Sequence, residues 1–371
     1  MRICFLAAAN SIHSVRWIKY FYEKGYEVAW VSLAPPIPDA KDLISKVKYF
    51  EITPSPLADI NGSFAICHLP FAIRQLKKIL KETKPDLMHI HSVGTYGLLG
   101  ALAGFKPIVM TPWGTDILLP SFLKRLLLKF TLKHARLFTC DGDNTTQTLI
   151  NFSVASEKIK MIRFGTDVEK FKPVPSSKFQ DSRCKIISLR TLIPIYDVET
   201  LVKAAAIIVK TIPKAKFIIA GDGDQKEYLT SLSKNLGLLP QYIEFIGRYQ
   251  NEDLPRMLNE VDIYVSTSLS DSGLSASTAE AMASGLPVIV SDSGDNRQWV
   301  DNNKGGFVIP LKSPEILAEK IIYLLRNKNL LKLFGEHNRG IIEEKNNYYK
   351  EMEKMEKLYK LLCQKQNPPS D

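Results

Sequence analysis

At 371 residues, 45% hydrophobic and 24% charged, the chain is long enough to bury full cores, which favours two globular domains over one and excludes a disordered protein. Its formal net charge of +10 suits nucleic acid, an acidic membrane surface or phosphate-bearing substrates, and composition does not choose among them. Apolar runs all break before about 18 residues, so no helical membrane span is expected, and Cys4, Cys67, Cys140, Cys184 and Cys363 are odd in number and too scattered for zinc or a redox dithiol, which fits a reducing, cytoplasmic compartment.

The opening MRICFLAAANS is at the lower limit for a secretory signal. It runs on through Asn10 into a helical pattern of Ile12, Val15, Trp17, Ile18 and Tyr20, so a first strand and helix are expected instead. Predicted strands follow at Arg2–Ala8, Glu27–Leu33, Leu87–His91, Pro107–Thr111 and Leu137–Cys140. After Phe171–Arg183, which holds Pro173, Pro175 and several serines and reads as a linker, a second series is predicted at Lys185–Leu189, Lys216–Ala220, Ile243–Ile246, Ile263–Ser266 and Pro287–Val290. Strands alternating with helical patterns predict doubly wound parallel sheets. The expected fold class is α/β, with two Rossmann-like lobes facing across a cleft: residues 1–170, a linker 171–183, a second lobe 184–345, and a C-terminal helix 346–371 that packs back on the first. Ligands of such sheets sit at the carboxyl ends of the strands.

Several residues stand at those ends. A small-residue loop, Ser268–Ser275, leads into a helix starting near Ala276, and free N–H groups with the helix dipole make the stretch Gly273, Leu274, Ser275 a physically good diphosphate site. Glu280 lies one turn further on, placed to accept hydrogen bonds from vicinal ribose hydroxyls; its plain alternative is a solvated helix carboxylate. Arg190 ends a predicted strand and can meet two phosphate oxygens at once. His91 ends another, and His89 faces the same side of that strand. Asn10 and His13 lie in the first strand-to-helix loop. Asp116, just past a predicted strand, either binds hydroxyl groups of a ligand or caps a helix. Gly221 and Gly223 permit a tight turn or close backbone approach. Ser121–Arg136 spaces Arg125, Lys129 and Lys133 four apart beside Leu and Phe, so it reads as an amphipathic helix for an anionic membrane surface or as an ordinary covering helix. No zinc-finger spacing, aromatic RNA-binding signature or arginine-rich arm is present, so no nucleic acid partner is expected.

His89-Ile90-His91, Trp113-Gly114-Thr115-Asp116, Phe164-Gly165-Thr166-Asp167, Ala220-Gly221-Asp222-Gly223, Phe245-Ile246-Gly247-Arg248 and the string STAEAMASGLPVIVSD occur in that order. With them the chain resembles glycosyltransferase family 4 over nearly its whole length. The resemblance implies a GT-B fold and retaining transfer from a nucleotide diphosphate sugar to a saccharide or lipid-linked acceptor, with no metal or other cofactor. It also implies Arg190 on the diphosphate, Glu280 on the ribose, His91 near the anomeric centre, Arg248 and Tyr249 in a base-reading loop, and Asn10, His13 and Asp116 on the acceptor side. Two positions depart from the family. Ser272 stands where a sugar-binding glutamate is usual unless Asp271 substitutes, and Tyr196 stands where a lysine is usual. A sugar-nucleotide epimerase of the same fold and a non-enzymatic basic adaptor are the competing readings.

Overall fold

The computed structural model describes residues 1–52, 68–118, 121–174, 184–271 and 273–364; Cys67, Ser272 and the linker beyond residue 174 lie outside them. The chain forms two compact units, Met1–Arg163 with Glu351–Asp371, and Phe164–Lys350.

The first unit is a parallel sheet of β1 (Arg2–Leu6), β2 (Glu27–Ser32), β3 (Lys48–Glu51), β4 (Leu87–His91), β5 (Ile108–Thr111), β6 (Leu137–Cys140) and β7 (Ile159–Met161), in the order β3-β2-β1-β4-β5-β6-β7. In the second unit, β8 (Lys185–Ser188), β9 (Lys216–Ala220), β10 (Ile243–Gly247), β11 (Ile263–Ser266), β12 (Val288–Ser291) and β13 (Gly306–Ile309) run β10-β9-β8-β11-β12-β13. Each sheet starts at its centre, winds one way and then reverses, as Rossmann sheets do. The reversal falls between β1 and β4 in one unit and between β8 and β11 in the other.

Near-continuous apolar strands are explained by burial on both faces. Ile186, Ile263, Val265 and Ile289 join one core of the second unit, with Phe217 and Leu201. Their strand neighbours Ile187, Tyr264, Val288 and Val290 join another, with Met282 and Leu286. The alternation is the two-residue period of a strand.

Three strands were not predicted. β3, β7 and β13 are edges, each paired on one side only, so they need less apolar sequence and two of them carry Lys48 and Lys160. The predicted helix Ser121–Arg136 is shorter, Phe122–Leu132. The helical tail is two helices, Lys328–Lys345 and Tyr348–Gln364, separated at Asn346-Asn347.

Phe164–Thr166 runs beside that break. The Thr166 N–H donates to the Asn346 carbonyl at 2.7 Å and the Tyr348 N–H to the Thr166 carbonyl at 3.0 Å. Gly165 has φ +70°, and a Cβ there would collide with the Tyr348 backbone, so only glycine fits. Val168 and Phe171 then enter the core of the second unit. From Glu351 on, the last helix belongs to the first unit: Glu356 accepts from the Tyr26 hydroxyl at 2.6 Å, and Tyr359 is fully buried.

Candidate functional site

In the second unit, the end of β8 brings Arg190 beside the loop that follows β11. Its Nη2 donates to Asp271 Oδ1 at 2.6 Å and to Ser268 Oγ at 3.3 Å. The Tyr196 ring lies under the guanidinium, 4.0 Å from its centroid. Side-chain exposures of 7% for Arg190 and 12% for Asp271 make this a buried pair. Burial by itself would lower the Arg190 pKa, but the Asp271 charge and hydrogen bond outweigh it and hold the proton more firmly. Arg190 Nε is buried with no hydrogen-bond partner among the described residues.

Close packing of backbone explains the two glycines after β9. A Cβ on Gly221 would fall on the Arg190 carbonyl, and one on Gly223 on the Leu192 carbonyl. The Leu192 N–H donates to the Asp222 carbonyl at 3.0 Å, and the Gln225 N–H to the Leu192 carbonyl at 2.9 Å. Both glycines therefore seat the turn that carries Arg190. The loop after β11 is buttressed likewise. Ser291 Oγ donates to the Ser268 carbonyl, and Gly294, at φ +54°, lies so close that a Cβ would stand 2.8 Å from the Asp271 oxygen and 2.9 Å from that of Gly273.

The helix Ala276–Ala283 follows. Ser275 caps it, its Oγ accepting from the Thr278 N–H at 3.3 Å, which satisfies one of the four open donors of the first turn. Gly273 is buried, Leu274 half-buried against the core and Glu280 half-buried. Tyr249, at the end of β10, has its pKa raised by burial first and then by the charge of Glu280, while Arg190 pulls it back. Arg248 beside it is 89% exposed, its Nε 3.9 Å from Asp222. Arg190, Tyr196, Asp271, Glu280 and Tyr249 are thus one electrostatic neighbourhood, and Arg248 stands apart from it.

In the first unit, His91 is buried, its ring 4.7 Å from that of His89, 5.2 Å from Trp17 and 5.5 Å from Trp113. Its Nδ1 is 3.2 Å from Ser14 Oγ, and its Nε2 has no hydrogen-bond partner among the described residues. Burial, followed by His13, lowers its pKa to about 3, so His91 is neutral near pH 7. Burial and Arg16 bring His13 to about 4, and its ring lies 5.4 Å from Trp113. Asn10 is exposed. His89 shares the strand face as expected, with Nε2 2.6 Å from Thr111 Oγ1 and Nδ1 hydrogen-bonded to the Tyr359 hydroxyl.

Asp116 does not cap a helix. Its Oδ2 accepts from the Val93 N–H at 2.7 Å and its Oδ1 from the Trp113 N–H at 2.8 Å, tying the loop after β4 to the loop after β5. Burial raises its pKa despite these bonds. Ser14, Ser268, Gly294 and Tyr359 were missed by sequence reasoning. Each acts through a partner distant in the chain, and no local spacing marks such a residue.

Two all-parallel sheets of Rossmann order, each with polar residues collected where its strand order reverses, define the α/β class shared with GT-B enzymes. The family model described as Glycosyl transferases group 1 matches residues 170–341 and that described as Glycosyl transferase 4-like matches residues 2–142. The UDP-Gal:alpha-D-GlcNAc-diphosphoundecaprenol alpha-1,3-galactosyltransferase of Escherichia coli is 29% identical over 318 residues, 76% of this chain and 77% of that one. The phosphatidyl-myo-inositol mannosyltransferase of Mycolicibacterium smegmatis is 26% identical over 86% of this chain and 81% of its own. Among solved structures, Anabaena HepE in complex with UDP has a TM-score of 0.82 at 19% identity, covering 98% of this chain and 100% of that one. The chain belongs to the family 4-like glycosyltransferases and is a nucleotide-sugar glycosyltransferase of GT-B type.

Proposed function

We propose that this enzyme retains anomeric configuration and moves a hexose-type sugar from a UDP- or GDP-linked donor to a saccharide or lipid-linked acceptor in glycan or polysaccharide biosynthesis. The reading rests on Arg190, a buried cation whose Nε has no hydrogen-bond partner among the described residues, beside the loop that feeds a Ser275-capped helix. Such a place attracts a diphosphate through fixed charge and helix dipole together. Relatives whose names specify UDP-galactose or GDP-mannose as donor support both nucleotide classes.

In the proposed reaction the bond between the anomeric carbon and the leaving phosphate oxygen breaks. The acceptor oxygen bonds that carbon on the same face, and the acceptor proton passes to the leaving oxygen. Arg190 and the N–H groups near Gly273 stabilise the diphosphate without a metal, and Glu280 holds the ribose. In the first unit His91, neutral as it is, offers Nε2 as a hydrogen-bonding group. The helix Phe122–Leu132 exposes Leu126, Leu127 and Phe130 among exposed Lys124, Arg125, Lys129 and Lys133, which supports docking on an anionic membrane surface where a lipid-linked acceptor resides.

Release of nucleoside diphosphate tests the site assignment. Arg190→Lys, which keeps a cation for Asp271 but loses the forked geometry, is expected to lower turnover about 100-fold. Glu280→Ala is expected to raise the donor KM about tenfold or more. Wild-type kinetics in both purified variants would remove these residues from the donor site.

A further inference from the structure

Arg190 serves two anions. Both hydrogens of its Nη2 are committed, one to Asp271 Oδ1 at 2.6 Å and one to Ser268 Oγ at 3.3 Å, and Ser268 is itself fixed by donating to the Ser270 carbonyl at 3.0 Å. The Tyr196 ring at 4.0 Å covers one face of the guanidinium. A phosphate therefore meets Arg190 in its plane, through donors other than those of Nη2. Asp271 does not need to leave for that to happen. Nor is it easily moved, because Gly294 packs directly on the Asp271 and Gly273 carbonyls and Ser291 bonds the Ser268 carbonyl.

From this geometry we propose that Asp271 acts on the donor site through Arg190, as a fixed counter-ion that tempers its hold on the diphosphate, and not as an acceptor for donor-sugar hydroxyls. The inference rests on the reading of Arg190 as the diphosphate ligand. Its chemistry is simple. A buried guanidinium with no counter-ion would retain the departing nucleoside diphosphate, which carries more negative charge than the sugar nucleotide it came from. A carboxylate sharing the same guanidinium repels that anion at short range. Asp271 is thus a positioning residue that keeps Arg190 oriented and lets product go, and Tyr196, uncharged, leaves Arg190 as the cation whose strength Asp271 sets.

Calorimetric titration with UDP, GDP, UDP-glucose and GDP-mannose tests the proposal on wild type, Asp271→Asn, Asp271→Glu and the double variant Arg190→Lys with Asp271→Asn. Asp271→Asn keeps an oxygen for Nη2 and removes the charge, so it is expected to tighten the preferred nucleoside diphosphate about tenfold. The matching sugar nucleotide, which carries less negative charge, should tighten by a smaller factor. Asp271→Glu, which restores the charge, should return both affinities toward wild type, and in the Arg190→Lys background the gain should shrink by more than half. If Asp271→Asn does not fold, Asp271→Ser carries the same expectation. Unchanged diphosphate affinity, or weakening of the sugar nucleotide alone, would make Asp271 a sugar contact and overturn the proposal. A wild-type protein that binds none of the four nucleotides would overturn the donor reading itself, a separate and distinguishable failure.

Discussion

Asp116→Ala separates a structural carboxylate from an acceptor-binding one. In the native protein its two oxygens accept from Val93 and Trp113 N–H groups at 2.7 and 2.8 Å, and the side chain is withdrawn enough from water for burial to raise its pKa. Truncation leaves both N–H donors without that partner. At about 1–3 kcal/mol for each buried donor left unsatisfied, partly relieved where Trp113 reaches water, the expected loss is about 3 kcal/mol. Asp116→Asn keeps one oxygen and turns an NH₂ group toward the second donor, so about half that loss is expected. Trp17, Trp30 and Trp113 lie in the first unit and Trp299 in the second, so urea unfolding followed by tryptophan fluorescence reports mainly on the unit that is perturbed. Hydrogen exchange at the Val93 and Trp113 amides should accelerate in both variants. Stabilities within about 0.5 kcal/mol of wild type, together with a raised acceptor KM, would refute the tie and restore Asp116 to the acceptor.

The buried histidines predict acid sensitivity. His89 and His91 have folded pKa values lowered by burial, His91 to about 3, below the unfolded value of about 6.5. The unfolded chain therefore binds more protons below that pH, and stability is lost as pH falls from about 6.5 toward 3; between pH 7 and 5 the loss from His91 is about 2 kcal/mol, and His89 adds to it in the same direction. Urea midpoints measured at pH 7, 6 and 5 that do not fall would contradict neutral burial of His91. For the membrane reading, Lys129→Ala with Lys133→Ala should weaken sedimentation with vesicles rich in anionic lipid about tenfold, and unchanged binding would dismiss the helix Phe122–Leu132 as a membrane contact.

Central strands were legible because both faces are buried. Leu87–His91, Lys216–Ala220 and Ile263–Ser266 were placed at their observed bounds, each a short apolar or β-branched run closed by polar or turn residues. Of the four edges only β10 was legible, predicted at Ile243–Ile246 and observed at Ile243–Gly247. Gly306–Ile309 holds only four residues and opens on a glycine whose Cβ would strike the Val288 backbone, a constraint imposed by the neighbouring strand and invisible in local pattern. The site divided in the same way. Arg190 and Glu280 could be found from their places at a strand end and on a helix, whereas the pairing of Arg190 with Asp271 joins residues 81 positions apart. Gly221 and Gly223 were found as turn residues, but what they accommodate is the Arg190–Leu192 backbone, which only the folded β8–β9 neighbourhood brings near.

What holds Glu280 in place bears on why it is there. Its helix is short and otherwise small or buried: Ala279, Ala281, Met282 and Ala283 are all in the core. Gly285, at φ +69°, ends it, and Gly335 of the helix Lys328–Lys345 packs so near that a Cβ would fall on the Gly285 carbonyl. Asn338, one turn on, donates to the Leu286 and Gly305 carbonyls at 2.8 and 2.6 Å. The helix is therefore pinned at its carboxyl end by backbone contact and at its amino end by the Ser275 cap. A helix held so closely has little freedom to rotate, and half-burying a carboxylate on it costs stability that an alanine there would not. Packing explains the alanines and glycines of the segment. The acid acts on its surroundings all the same: its charge helps to raise the pKa of the Tyr249 hydroxyl.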